Sequence, residues 1–277
     1  MDNRKWMDRY STDCALKYNS NATKKNYISC VGLFLTYFSD KYREPKEIPT
    51  DEIKKWLLTA STINTRKHRL CAVKSFYQLT VGMPAKIDKI PFPKSEKKLP
   101  IVLSQAEIQA MFDVCHNLKH KVIFSLLYSA GLRVSELLNL KWAHIDRSRM
   151  VINILAAKGN KDRQVMLASC LIPLLEKYWL EFKSKEYVLN GQFRLQYSAA
   201  SVRQVVKQLA AAAGIKKDVW THLIRHCSFT HMVESGVDLS LIQRIAGHSN
   251  VKTTAIYTHI SHNLISKINS PINAIAL

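Results

Sequence analysis

The chain has 277 residues, 47% hydrophobic and 22% charged, with eight glycines and eight prolines, a composition that excludes disorder over most of its length and suits one large domain or two ordinary ones. Its 41 lysines and arginines outnumber 21 aspartates and glutamates, a net charge of +20, and self-repulsion of that size usually answers to a polyanionic partner. No apolar run approaches the roughly 20 residues of a membrane span, and the first residues, MDNRKWMDRYSTDC, lack the apolar core of a secretory signal. The positive excess divides equally about Lys98, so a basic tail does not account for it. Both halves are expected to face the polyanion, as a clamp around nucleic acid would. Six cysteines at irregular spacing, without a C-x-x-C pair, fit neither a zinc ribbon nor a disulfide framework, and point to reduced thiols in a cytoplasmic protein.

Residues 1–83 read as helical. Tyr27, Val31, Phe34, Leu35 and Phe38 recur at helix spacing behind a Ser20 cap. A second pattern starts at Thr50, places Asp51 and Glu52 in the first turn, and puts Ile53, Trp56 and Leu57 on one face. In a third, Leu70, Val73, Phe76 and Tyr77 form the apolar stripe, with Arg66, Lys67, Arg69 and Lys74 largely off it. Those four are either a solvated face or a nucleic-acid-contacting one, and the overall charge favours the latter. Residues 84–103 hold four prolines and five lysines without a period, the composition of a linker.

A second domain is expected over 104–277, opening with a helix capped by Ser104. Residues 121–140 read as two helices broken at Gly131, and 143–167 as a small antiparallel sheet with its tight turn at Gly159-Asn160 and Lys158 on the shoulder. Three helices follow: one ending at Gly214, one capped by Thr221 and stopped at Gly236, and a short one ending at Gly247. Ser249 is placed to cap the helix that carries Tyr257. The fold class is therefore mainly α with a small antiparallel β-sheet.

Cutting a phosphodiester without a metal takes a nucleophile, cationic donors for the non-bridging oxygens and an acid for the leaving alkoxide. Arginine suits the second task, because its planar fork matches two phosphate oxygens. Arg133 and Arg225 are the candidates. The segments that hold them, GLRVSELLNLKW (131–142), AAKGNKDRQVML (156–167), HLIRH (222–226) and AGHSNVKTTAIYTH (246–259), resemble the boxes of the tyrosine recombinase (phage integrase, Xer-like) family in order and spacing. Residues 1–83 resemble its helical, SAM-like core-binding domain only through helix pattern and basicity.

The resemblance implies a mixed α/β catalytic domain and six site residues: Arg133, Lys158, His222, Arg225, His248 and Tyr257. Glu136 falls at the acidic position that supports the first arginine. Tyr257 would attack the scissile phosphate to give a 3′-phosphotyrosyl intermediate and a free 5′-hydroxyl, with His222 accepting its proton. Lys158, with Lys161 as a rival, would protonate the leaving oxygen. No metal, ATP or other cofactor is implied. His222 and His226 share a helix face, yet with His231 they lack a cysteine or acidic companion to complete a zinc site. His226 and His231 are expected to pack or hydrogen-bond within the domain, and His116 with His120 to lie at the surface. Two departures from the family pattern, the Cys-Ser-Phe order after His226 and alanine before Lys158, remove no catalytic group.

The implied partners are double-stranded DNA and further copies of the chain, as a homo-tetramer on two sites that exchanges strands through a Holliday junction, with room for an accessory protein. Leu264, Ile265, Ile268, Ile272, Ile275 and Leu277 form more apolar surface than a free tail should expose. They either pack on their own domain or dock into a neighbouring protomer. The uses open to such chemistry are integration or excision of a mobile element, DNA inversion and dimer resolution. The alternatives are a catalytically silent DNA-binding or architectural protein on the same fold, and a relaxing enzyme like a type IB topoisomerase.

Overall fold

The computed structural model describes residues 1–94, 101–155, 162–191 and 196–247. The chain divides into two units, Met1–Lys98 and Leu99–Leu277.

Unit 1 is helical: α1 (Asn3–Lys17), α2 (Asn21–Phe38), α3 (Thr50–Leu58), α4 (Ile63–Phe76) and the short α5 (Ala85–Asp88). Side-chain oxygens of Asp2, Ser20 and Thr62 accept the first free amides of α1, α2 and α4, as helix starts require. A wider turn over Tyr77–Val81 extends α4 until Gly82, at φ 77°, ends it. The core is aromatic. The Phe34 ring meets those of Phe38 and Trp56 at 5.1 Å, Tyr77 at 6.2 Å and Phe76 at 6.5 Å, all edge-on, the arrangement that ring quadrupoles favour.

Two of the four cations read as a basic face on α4 are engaged inside the unit. Arg69 donates to Thr59 Oγ1 at 2.8 Å and lies over the Trp56 ring. Lys74 donates to the Asp88 carbonyl at 3.3 Å. The lysine- and proline-rich stretch 84–103, expected as a linker, contributes to a core at each end. Ile87 and Ile90 are buried in unit 1 and Leu103 in unit 2. Isolated apolar residues among lysines show no period, so composition hides them.

Unit 2 holds α6 (Gln105–Asp113), α7 (Leu118–Ser129), α8 (Val134–Leu138), strands β1 (Ile145–Asp146), β2 (Val151–Ile154) and β3 (Arg163–Met166), then α9 (Leu171–Phe182), α10 (Ala199–Ala212), α11 (Thr221–Glu234) and α12 (Leu239–Ala246). The strands form an antiparallel sheet in the order β1-β2-β3. Ser104 and Glu107 cap α6 reciprocally, a capping box. Mainly α with a small antiparallel sheet is thus the observed class. The Gly159-Asn160 turn and the Ser249-capped helix fall outside the described residues.

Two local readings change. Helix α11 is preceded by Trp220 in extended conformation (φ −133°, ψ 162°), so Thr221 is its first helical residue and not its cap. Helix α9, with Leu171, Leu175 and Tyr178 buried on one face, was not anticipated. Ten of the fourteen residues of α11 are buried, which makes it the central helix of the unit. His231 on α11 joins the Tyr128 hydroxyl at 2.8 Å to the Leu103 carbonyl at 2.9 Å. All six cysteines are unpaired.

Phe34 carries the aromatic core of unit 1, whereas Leu33 beside it is 62% exposed. Phe34→Ala is expected to cost about 3–5 kcal/mol and Leu33→Ala under ~0.5 kcal/mol in urea denaturation of the full chain.

Candidate active site

The site is assembled where α8, β3, α11 and the end of α12 meet. Gly131 leaves α7 at φ +56°, and a Cβ there would lie 2.6 Å from the Phe229 ring, so no other residue fits. The turn delivers Arg133 in extended conformation at the start of α8 (φ −73°, ψ 154°). Glu136, one turn on, accepts from the Arg133 amide at 2.8 Å and from Arg133 Nη1 at 2.7 Å.

Arg225 enters from α11 with 1% of its side chain exposed, its guanidinium stacked 4.7 Å from the Phe229 ring centre. It donates to the Gly131 carbonyl and, at 2.6 Å, to the Ala246 carbonyl. Arg133 Nη2 donates to that same Ala246 carbonyl at 3.2 Å. Two guanidinium groups far apart in sequence therefore converge on one backbone oxygen at the carboxyl end of α12. That end carries unsatisfied carbonyls and partial negative charge, which suits cations.

A third arginine, singled out by no motif, completes the cluster. Arg163 at the start of β3 donates through Nη1 and Nη2 to the two Glu136 oxygens, both at 2.7 Å, and through Nε to the Ile245 carbonyl at 2.6 Å. Its side chain is 6% exposed. One signal in the sequence pointed to it. Alternation along β3 puts Arg163 on the same face as Val165, and pairing sets these opposite Ile154 and Ile152, an inward row where an unpaired charge is not tolerated.

Glu136 is thus surrounded by three arginines, with Arg225 Nη1 at 3.9 Å. Burial by itself would raise its carboxyl, but the bonds from Arg163 and Arg133 more than offset this and bring it down to about 2. His222 lies on α11 one turn before Arg225 and is partly exposed. Partial burial, and then the positive charges of Arg225 and Arg133, lower its pKa. Its ring meets that of His226 edge-on at 4.6 Å, and His226 is brought down to about 4 by burial and by its charged neighbours. Both imidazoles are therefore neutral near pH 7.

Of the six residues expected at the site, the structure brings Arg133, His222 and Arg225 together. Lys158, His248 and Tyr257 lie outside the described residues, as does Lys161. Among the described residues no cluster of histidine, cysteine, aspartate or glutamate could hold a metal ion, and no helix is long and apolar enough to cross a membrane.

Among the described residues, a helical unit thus precedes a mostly helical unit with three antiparallel strands, in which separated arginines converge beside a neutral histidine. The family model described as "Phage integrase family" matches residues 102–263. The chain is 31% identical to tyrosine recombinase XerA of Pyrococcus horikoshii, over 92% of this chain and 89% of that one. It is 32% identical to a tyrosine recombinase of Pseudothermotoga lettingae, over 87% and 88%. Among solved structures, a XerA recombinase crystal structure aligns with a TM-score of 0.57 and 28% identity, over 96% of this chain and 97% of that one. Lambda integrase residues 75–356, bound as a dimer to a COC' core site, share the fold with a TM-score of 0.75 at 18% identity, over 90% and 96%. The chain belongs to the phage integrase family and is a tyrosine-type site-specific recombinase.

Because the Glu136 carboxyl is held below its unfolded value of about 4.3, its contribution is present above that pH and is lost as pH falls through about 2. Glu136→Gln is expected to destabilise unit 2 by about 3–5 kcal/mol at pH 7, and the gap to wild type should narrow steadily on acidification below about pH 4.3 in urea denaturation.

Proposed function

We propose that this protein cuts and rejoins duplex DNA through Tyr257. The tyrosine Oη bonds to the scissile phosphorus and the P–O5′ bond breaks, leaving a 3′-phosphotyrosyl link. His222 takes the tyrosine proton, and Lys158 gives one to the departing 5′-oxygen. Arg133, Arg225 and His248 neutralise charge growing on the non-bridging oxygens. Reversal by another strand's 5′-hydroxyl restores the phosphodiester, so the bond energy is conserved and no ATP or metal enters the balance.

The observation that carries this reading is the convergence of Arg133 and Arg225 on one carbonyl beside a neutral His222. A free tyrosine, with a pKa of about 10, is a poor nucleophile at neutral pH, so a base that is unprotonated there is required. Unit 1 serves as the core-binding domain, over 1–83, joined through 84–103 to a catalytic domain over 104–277, and the positive charge of each half attracts the duplex in the cytoplasm. Four protomers on two sites exchange strands in pairs, the apolar C-terminal segment 264–277 coupling neighbours. The lambda integrase tetramer has been solved on a Holliday junction, which supports that assembly. Whether the outcome is integration, inversion or dimer resolution follows from the arrangement of the two sites.

Nicked duplexes spanning the DNA that flanks the coding region provide the test. Wild type is expected to form a denaturant-resistant protein–DNA adduct, and Tyr257→Phe none. An adduct with both would sink the assignment of the nucleophile, and none with either would favour a DNA-binding role. The acid limb of kcat/KM for cleavage is expected to fall below the usual imidazole value of about 6.5, because the His222 pKa is lowered. His222→Ala should abolish that limb and cost roughly 10²–10⁴ in rate.

A further inference from the structure

Building on the recombinase reading above, we infer that Arg163 is a positioning residue, which fixes the Glu136 carboxylate and the last turn of α12 against each other and through them aims the Arg133 guanidinium. Its three bonds, 2.7 Å and 2.7 Å to the carboxylate and 2.6 Å to the Ile245 carbonyl, are short and almost fully buried. Arg133 makes one guanidinium bond to the same carboxylate and a longer one, 3.2 Å, to Ala246, and its side chain is 22% exposed. The buried partner is the rigid one, and the exposed partner is the one held.

Contact continues past the helix end. A Cβ on Gly247 would lie 3.1 Å from Arg163 Cδ, and Gly247 turns at φ +62°. The chain therefore leaves α12 pressed against the Arg163 stem, one residue before His248. Lysine cannot substitute, since a point charge gives neither the carboxylate fork nor the Nε bond.

The charged groups facing Glu136 are Arg133 ahead of its own helix, Arg163 from β3 and Arg225 from α11. Helix α12 offers the Ile245 and Ala246 carbonyls, and α7 and α10, also packed on α8, send Glu136 no ion pair among the described residues. Removing Arg163 takes away two of the four hydrogen bonds that hold the carboxylate ionised against its burial. A protonated Glu136 has one acceptor fewer for Arg133, so loss of Arg163 should add a second acid dependence to the His222 limb that wild type already has.

The test uses the full chain with Arg163→Lys and Arg163→Met, in single-turnover cleavage of the nicked duplex. The cleavage rate at saturating protein is expected to fall about tenfold or more while DNA affinity changes less than about threefold, the split that marks a loss in the transition state. The deficit should deepen as pH falls from 8 to about 5.5. In a Glu136→Gln background the Arg163→Met change should cost less than about threefold, because the two act as one unit. Equal losses in both backgrounds, a loss confined to DNA binding, or a wild-type pH profile would each overturn the inference. The DNA-free protein gives a second readout through the Arg133 guanidinium protons in ¹⁵N spectra, which its bonds to Glu136 and Ala246 are expected to protect from exchange in wild type. Arg163→Lys should broaden or remove them while the fold's amide dispersion persists, and unchanged signals would refute positioning. Absence of any wild-type adduct would defeat the proposed reaction, and the guanidinium spectra would still decide the role of Arg163.

Discussion

Unit 2 is organised around a single carboxylate buried among cations. Glu136 accepts from Arg133 and Arg163, and Arg225 stands at 3.9 Å. Three guanidinium groups against one carboxylate leave surplus positive charge in a poorly solvated place, which is costly unless further acceptors share it. The carbonyls at the end of α12 and the Gly131 carbonyl supply them. Much of the local geometry follows. The chain must turn at Gly131, Arg133 must precede the first turn of α8, β3 must open with an inward arginine, and α12 must stop where its last carbonyls face the cluster.

The same surplus has a functional meaning. A protein that is to hold a phosphate needs cations that are not neutralised one for one, and here one carboxylate is shared among three. Those cations also act on their neighbour. Arg225 and Arg133, together with burial, lower the His222 pKa, so the imidazole is neutral where a tyrosine would need a base. Under the proposed mechanism, one arrangement serves both anion binding and proton transfer. The net charge of +20, spread over both halves of the chain, extends the attraction well beyond the site.

Much of the fold was legible in the sequence because it is written in local periodicity. The stripes of α2, α3 and α4, the Ser104 cap and the breaks at Gly131, Gly214, Gly236 and Gly247 are patterns within a few residues. Local readings failed where the signal was faint or tertiary. Thr221 is a good cap by residue type, yet the extended conformation of Trp220 starts α11 one residue earlier. Ile87, Ile90 and Leu103 sit among lysines and prolines, and burial in separate cores alone shows that they are structural. Arg69 and Lys74 read as surface cations, but they bond to Thr59 and to the Asp88 carbonyl.

The sequence by itself determined the chemistry on offer: four boxes in order, a tyrosine, a lysine, two histidines and two arginines at spacings the family shares, and a charge that calls for a polyanion. Residue type and spacing along the chain carry that information directly. Tertiary structure decided which cations share a counter-charge. Arg163, Glu136 and Arg225 are distant in sequence, and the alternation that turns Arg163 inward beside Val165 says nothing of which carboxylate it meets. Their pairing arises because desolvation leaves each buried charge stable only beside the others, and that condition exists once α8, β3, α11 and α12 have packed.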